Sequence, residues 1–148
     1  MSNSSFNFNM AKTFGGVVSV HYSSDMLVND SIFHCNFAGN DGGVFDGYSE
    51  CSIIVYRSSF TNNTADGAGG VLAIVYSSNF TTEDSVFNNN NARGNGGVIY
   101  TFTETVLIIC NSIFAQNSAI YGGALMVRRD SIVNIDSSMF SNNVADTT

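Results

Sequence analysis

The chain has no proline, few charged residues and no long apolar run. Charged residues make up 11% of its 148 residues, against roughly 25% in a typical globular domain. Five basic and twelve acidic residues give a net charge of −7, which argues against a nucleic-acid partner because phosphate neutralisation needs clustered Lys and Arg. The longest apolar run, Val106–Cys110, is too short to cross a bilayer. Fourteen glycines without proline favour stacked strands joined by tight turns.

The cysteines and histidines do not form a recognisable set of metal ligands. Cys35, Cys51 and Cys110 stand at three different positions of the repeat described below, so no vertical ladder of disulfides is predicted. His21 and His34 also stand at different positions, and no metal-ligand spacing lies near them. The sequence therefore predicts no metal site and no cofactor.

One motif, Ser-x-Phe-x-x-Asn-x-Ala, recurs six times along the chain. Its phenylalanines are Phe6, Phe33, Phe60, Phe87, Phe114 and Phe140. Each of the first five copies is followed by a Gly-Gly pair, and successive copies are 27 residues apart, except for a last step of 26. A fixed period in this range is typical of a solenoid, in which each unit buries its apolar side against its neighbours.

Alignment of the repeats gives columns with the alternation of β-strands. The residues two after each Gly-Gly pair are Val18, Phe45, Leu72, Ile99 and Leu125. A second alternating run precedes each motif, and the phenylalanine forms a third inward column. Equivalent residues recur one coil later, so the strands should pair in parallel about 4.8 Å apart. The predicted fold is all-β: one single-stranded parallel β-helix over residues 1–148, with about five coils of 27 residues.

The asparagines of the motif form another column with a structural role. They are Asn9, Asn36, Asn63, Asn90, Asn117 and Asn143. A side-chain amide can donate to one neighbouring coil and accept from the other, so we expect a ladder of amides beside the stacked phenylalanines. In the column three before the phenylalanine, Arg57 should lie between Asp30 and Asp84 of the adjacent coils.

A leucine-rich repeat is the rival architecture, because its units have a similar length and an Asn after a short strand. The position two before the phenylalanine is always Ser here, where that repeat needs an apolar residue. The segment after the Asn leads to Gly-Gly and a β-branched run and shows no helical pattern. These features favour the β-helix.

Aromatic residues at outward positions of the first strand, and at the end of that strand, give the best candidate for a binding surface. The residues are Tyr22, Tyr48, Tyr76, Tyr100 and Phe102. Exposed aromatic rings on a flat parallel sheet could stack on sugars or dock a protein. The competing interpretation is that these residues only cover the sheet.

A catalytic site is the alternative. Glu50, Glu104 and Asp130 share one column, and Glu50 and Glu104 should lie about 9.6 Å apart by strand spacing. That separation is near the range of inverting glycosidases. Ser77 stands between them and no partner acid is singled out. We therefore favour a non-enzymatic protein and keep a carbohydrate-active β-helix enzyme, a polysaccharide lyase or glycosidase, as the alternative.

The pairing of Phe-x-x-Asn with Gly-Gly and a small or β-branched residue resembles the polymorphic outer membrane protein repeats of chlamydial autotransporters. Phe33–Asn36 with Gly42-Gly43-Val44 and Phe114–Asn117 with Gly122-Gly123-Ala124 show it most clearly. The resemblance implies a right-handed, pectin-lyase-like parallel β-helix in a surface-exposed or secreted region with an adhesin role. It also implies a partner on a host or neighbouring cell, either a protein or a glycan. This chain departs from the family in that most of its Gly-Gly pairs precede Val.

The chain starts and stops inside a repeat unit. We therefore expect a solenoid fragment that is uncapped at both ends and that associates end to end in isolation. Taken together, the sequence predicts an extracellular or cell-surface module with structural and adhesive roles.

Overall fold

Four strands make up each coil of the protein, and the coils stack into a parallel β-solenoid. The computed structural model describes residues 1–146, and all regular structure in this range is β-strand. The predicted all-β parallel solenoid with about five coils is confirmed. The sequence predicts three strands in each coil. The structure adds a short fourth strand directly after the motif asparagine, where the sequence predicts a turn.

Four parallel sheets run along the rod, one for each strand of the coil. Sheet 1, which follows the Gly-Gly pairs, contains Val18–His21, Phe45–Tyr48, Leu72–Val75, Ile99–Phe102 and Leu125–Arg128. Sheet 2 contains Asp25–Asn29, Ser52–Tyr56, Asn79–Glu83, Val106–Cys110 and Ile132–Asp136. Sheet 3 carries the motif phenylalanines in Ser5–Asn7, Ile32–His34, Ser59–Thr61, Val86–Asn88, Ile113–Ala115 and Met139–Ser141. Sheet 4 is built from the two-residue strands Met10–Ala11, Phe37–Ala38, Thr64–Ala65, Asn91–Ala92, Ser118–Ala119 and Val144–Ala145.

The register of all four sheets follows the sequence repeat. Phe33 pairs with Phe60 and Leu72 pairs with Ile99, each 27 residues further along the chain. The single 26-residue step falls at the corner after Ser118–Ala119, where the backbone N–H groups of Ile120 and Tyr121 both donate to the carbonyl of Gly94. The corner therefore absorbs the missing residue, and the next strands keep their register.

The motif phenylalanines form one continuous stack in the core. Neighbouring ring centroids lie 4.7 Å apart for Phe33 and Phe60 and 4.9 Å apart for Phe60 and Phe87, with interplanar angles of 2° and 7°. Phe33, Phe60, Phe87 and Phe114 are fully buried. The stack continues to Phe6 and Phe140 at its ends. The predicted vertical file of aromatic rings is confirmed.

Two ladders of polar side chains run beside this stack. The Asn63 side-chain amide donates to Oδ1 of Asn90 at 3.0 Å and to the carbonyl of Phe33 at 3.1 Å, while its own Oδ1 accepts from Asn36. This is the amide ladder that the sequence predicts. A second ladder was not foreseen: the backbone N–H of Ser58 donates to Oγ of Ser85 at 3.1 Å. The motif serines thus supply acceptors to the backbone at a corner.

The two glycines of each Gly-Gly pair have different roles. Gly42 has a φ of +68°, in the left-handed region that side chains disfavour. Gly43 has no positive φ, but a Cβ there would collide with the carbonyl oxygen of Gly70 on the next coil. One glycine therefore permits the turn, and the other permits the close approach of two coils.

Arg57 pairs with only one of its two predicted partners. Its Nε and Nη2 donate to the two carboxylate oxygens of Asp30 at 2.8 and 2.9 Å. These hydrogen bonds lower the pKa of Asp30 from its ordinary value. Asp84 makes no ion pair with Arg57 among the contacts of residues 1–146. A bidentate guanidinium faces one carboxylate, so the second aspartate is left to solvent.

Candidate functional site

A groove of about 480 Å³ lies on the outer face of sheet 1. Its floor includes Asp46, Ala73 and Tyr100, which pair with one another across three successive coils. Outward residues on a flat sheet usually leave no concavity. Ala73 is much smaller than its neighbours in the column, so a depression remains between them.

The two walls of the groove come from different parts of the coil. One wall consists of the last outward residues of the sheet 1 strands, such as Tyr48 and Phe102, and of the first residues of the corner that follows, such as Tyr76. The other wall includes Phe14 and Asp41, which directly precede Gly-Gly pairs. The structure brings together all five residues of the predicted binding surface along this groove: Tyr22, Tyr48, Tyr76, Tyr100 and Phe102.

Four of these rings form a zigzag along the rod axis. Tyr48 and Phe102 belong to the last column of the strand, whereas Tyr22 and Tyr76 belong to the next column at the corner. Each coil therefore contributes one ring, alternately from one column and from the other. The ring centroids of Tyr22 and Tyr48 are 5.9 Å apart, those of Tyr48 and Tyr76 are 5.2 Å apart, and those of Tyr76 and Phe102 are 6.1 Å apart. The interplanar angles are 77°, 72° and 88°, so neighbouring rings meet edge to face.

Two of the tyrosines have an unfavourable backbone conformation. Tyr22 has a φ of +52° and Tyr76 a φ of +58°. The left-handed region costs a non-glycine residue about 1–2 kcal/mol, and Gly or Asn would fill it more cheaply. The fold requires this corner geometry in every coil, but it does not require tyrosine there.

Two arginines close one end of the zigzag. The guanidinium carbon of Arg129 lies 4.9 Å from the ring centroid of Phe102, and that of Arg128 lies 5.8 Å from it. Both arginines follow the same two columns one coil beyond Phe102. The aromatic groove thus ends on a cation that is stacked on a ring.

Acidic groups lie in the floor and in one wall. Asp46 is 9% exposed, although its strand position faces outward. Its Oδ2 lies 3.2 Å from Nε2 of His21. Burial raises the pKa of Asp46, the hydrogen bond with His21 opposes this rise, and the nearby charge of Asp41 adds to it. Asp41 itself accepts a 2.7 Å hydrogen bond from the backbone N–H of Ala68, which fixes its carboxylate on the next coil.

The column of candidate catalytic carboxylates lies next to the corner tyrosines. Glu50 and Glu104 are exposed, and each accepts a 3.0 Å hydrogen bond from a serine one coil earlier, Ser23 and Ser77 respectively. Asp130 is exposed at the next position of the column. The column thus alternates serine and glutamate from Ser23 to Glu104, and none of its residues lines the groove itself.

No metal centre is formed in the described part of the chain. Residues 1–146 contain no group of three or more His, Cys, Asp or Glu side chains that could hold a metal ion. Cys35, Cys51 and Cys110 are free thiols. Over the same residues no helix is long and apolar enough to span a bilayer.

Sequence reasoning selected the aromatic residues but not the opposite wall or the acidic floor. His21 and Asp46 are recognisable as outward positions of the first strand. Phe14 and Asp41 share the column just before Gly-Gly, and that alignment is the one signal in the sequence that groups them. The direction in which this corner folds over the strand decides that they face the tyrosines.

Comparison with protein families identifies the repeat. The Chlamydia polymorphic membrane protein (Chlamydia_PMP) repeat matches the chain at residues 57–74 and again at residues 84–101. The two matched segments are similar to this repeat and lie in neighbouring coils. Each matched segment includes one motif phenylalanine, one ladder asparagine and one Gly-Gly pair. Each matched segment therefore covers the sheet 3 and sheet 4 strands of one coil and part of the following sheet 1 strand, and it leaves out sheet 2.

The match and the fold agree on the kind of protein to which such a solenoid belongs. A polymorphic membrane protein repeat in a parallel solenoid is consistent with a structural module of an outer-membrane or cell-surface protein. Comparison with curated proteins and with solved structures gave no match.

Proposed function

We propose that the chain is a non-enzymatic adhesive module of a cell-surface protein, exposed outside the cell, and that the aromatic groove of sheet 1 is its binding surface. The partner is a protein or glycan of a host or neighbouring cell. The observation that carries this proposal is the collection of the five predicted aromatic side chains in one groove, on the outside of a rod whose core is filled by inward apolar residues.

The chemistry of the groove supports a binding role. Tyrosine supplies a large, rigid contact surface with a polar tip, which makes it frequent at interfaces. Tyr22 is 71% exposed and Tyr76 is 41% exposed, so both are accessible to a partner. Both also hold left-handed conformations that the fold could fill more cheaply with Gly or Asn.

Adhesion of the labelled chain to host cells tests the proposal. A Tyr48→Ala, Tyr76→Ala double variant should lose at least about tenfold in bound fluorescence, because central aromatic residues dominate interface energies. Tyr56→Ala is the matched control, since Tyr56 ends a strand of sheet 2 and does not line the groove. Circular dichroism checks that every variant folds. Equal adhesion of the double variant and the control would remove the groove from the mechanism.

The carbohydrate-active enzyme is tested separately through its carboxylates. Glu50 and Glu104 lie along the edge of the same groove, in the column next to Tyr22 and Tyr76. Depolymerisation of a polysaccharide that is abolished by Glu50→Gln or Glu104→Gln would replace the adhesive role by a catalytic one. Unchanged polysaccharide length in the presence of the wild-type chain supports the non-enzymatic role.

A further inference from the structure

We infer that the aromatic groove binds a basic segment of a partner polypeptide, with lysine or arginine side chains inserted between its rings. This inference rests on the proposed adhesive role of the groove and names the chemistry of its ligand. Four features of the groove lead to it: the orientation of the rings, the position of the carboxylates, the cation already present at one end, and the length of the zigzag.

The orientation of the rings favours cations over the flat faces of sugars. A sugar stacks on a broad ring face, and several sugars in a row need several coplanar faces. Tyr48 and Tyr76 meet at 72°, and Tyr76 and Phe102 meet at 88°. Neighbouring ring faces therefore point in different directions and form the walls of shallow cages. Aromatic cages of this kind recognise ammonium and guanidinium groups through the negative faces of the rings.

Apart from Arg128 and Arg129 at one end, the charges of the groove have the sign that a basic ligand requires. Among the described residues that line it, Asp41 and Asp46 are acidic, and neither lysine nor arginine is included. Glu50 and Glu104 stand in the adjoining column. The whole chain carries a net charge of −7, which would attract a basic partner from a distance. Asp46 is largely removed from water. A cation beside its carboxylate would therefore stabilise the negative charge that water no longer stabilises.

The chain already shows this mode of contact. Arg129 places its guanidinium over the ring of Phe102 at 4.9 Å. The next rings of the zigzag, Tyr76 and Tyr48, are about 40% exposed. No arginine or lysine of the described residues lies over either of them. A ligand cation at Tyr76 or Tyr48 would repeat on a free ring the contact that Arg129 makes on Phe102.

The length of the zigzag favours a polypeptide over a single small cation. From Tyr22 to Phe102 the rings advance by three coils, or about 14 Å at the usual strand spacing. One ammonium group occupies only one cage. An extended polypeptide presents side chains on one face roughly every 7 Å, so two or three of its basic residues would span the row of rings.

Binding of matched synthetic peptides to the whole chain tests this inference. The probe is a short peptide with arginine at alternate positions. Its partner peptide carries citrulline, the neutral isostere of arginine, at the same positions. A neutral oligosaccharide is the third ligand. Calorimetry at low and high salt should show binding of the arginine peptide that is at least about tenfold tighter than binding of the citrulline peptide, because a desolvated cation–π contact alone contributes up to about this factor.

Variants distinguish groove binding from general attraction between opposite charges. Tyr76→Leu and Asp46→Asn should each weaken the arginine peptide about fivefold or more, since each removes one contact of up to about 1–2 kcal/mol. Asp136→Asn removes an equal charge from a strand of sheet 2 and should leave the affinity within about twofold. If Asp46→Asn does not fold, Tyr76→Leu still tests whether the peptide binds in the groove.

The outcomes separate this inference from the proposed function. Equal affinities of the arginine and citrulline peptides, or equal effects of Asp46→Asn and Asp136→Asn, would overturn the cation site. Tight binding of the oligosaccharide without the arginine peptide would overturn it as well and would leave the adhesive role in place. In the adhesion assay, the arginine peptide should compete with cell binding. Cell binding could depend on Tyr48 and Tyr76 and yet not be inhibited by the arginine peptide. That result would overturn the basic-peptide ligand but not the adhesive role of the groove.

Discussion

The imidazole Nε2 of His21 lies 3.2 Å from Oδ2 of Asp46 on the next coil, at the floor of the aromatic groove. This contact works against the burial of the carboxylate. Burial raises the pKa of Asp46, whereas the hydrogen bond with His21 lowers it. We therefore expect the His21→Ala variant to raise the pKa of Asp46 further. Carboxyl-carbon NMR titration of both proteins measures this, and a lower pKa in the variant would contradict the role given to His21.

The pKa of Asp46 also has a consequence for stability. Because burial raises the pKa of Asp46 in the folded state above its ordinary value of 3.8, the native state binds the proton more tightly than the unfolded chain does. The ionised carboxylate therefore destabilises the fold above its folded pKa, and this cost should disappear as the pH falls towards 3.8. Asp30 has the opposite sign, since its pKa is lowered by Arg57 and its contribution is lost in acid. Urea unfolding on both sides of pH 3.8 separates the two, because Asp46→Asn should remove a pH dependence above 3.8 and Asp30→Asn one below it.

Removal of one ladder amide should destabilise the protein strongly. In the Asn63→Ala variant, the backbone and side-chain N–H groups of Asn36 lose their shared acceptor, and the carbonyl of Phe33 loses a donor. These groups are buried, and each unsatisfied group costs about 1–3 kcal/mol. We expect the free energy of unfolding to fall by about 3 kcal/mol or more. Asn88→Ala, in a strand position that is half-buried and outside the ladder, should change it by less than about 0.5 kcal/mol.

The position of a phenylalanine in the stack should determine its contribution to stability. Phe60 is fully buried between the rings of Phe33 and Phe87. Phe60→Ala opens a cavity in the core and should cost about 3–5 kcal/mol. Phe140 is 38% exposed and contacts one neighbouring ring, so Phe140→Ala should cost clearly less. Denaturant unfolding followed by far-UV circular dichroism provides the comparison, and equal costs would refute a continuous stack.

Replacement of a buried threonine offers a gain in stability. The Thr82 hydroxyl is buried and has no hydrogen-bond partner within the described residues. Valine has nearly the same shape without the hydroxyl, so Thr82→Val should raise the free energy of unfolding by about 1 kcal/mol. Thr81→Val, one residue earlier on the outward side of the same strand, is the control and should change it little. A lower melting temperature for Thr82→Val than for the wild type would show that the hydroxyl is satisfied in solution.

The two ends of the rod remain the site of a predicted self-association. Every sheet has a strand of the first coil at one edge and a strand of the last coil at the other. Val127, Ile135 and Phe140 of the last coil continue inward columns that are buried in the preceding coil, yet they are 37%, 49% and 38% exposed. Unpaired edges and exposed apolar residues favour edge-to-edge pairing, so the 148-residue chain should form concentration-dependent oligomers. Size exclusion with light scattering measures this, and a monomer at all concentrations would count against it.

The repeat in the sequence determined the solenoid, its parallel register and the two inner columns of Phe and Asn. It could do so because each coil contacts only its neighbours, so a period in the sequence becomes a period in space. Tertiary structure decided the short fourth strand and the serine ladder. It also decided the choice of Arg57 between Asp30 and Asp84, because that choice depends on side-chain rotamers that no column specifies.

For the groove, too, the sequence determined one part and the tertiary structure the other. Tyr48, Tyr100 and Phe102 could be recognised as outward residues from the alternation of the strand, and Tyr22 and Tyr76 as the residues that follow at its end. That Phe14 and Asp41 face them, that Ala73 leaves a depression and that Asp46 is buried follow from the path of the corner before Gly-Gly. Strand periodicity fixes which side of a sheet a residue faces, whereas the contact between two distant corners depends on backbone turns that only the folded coil defines.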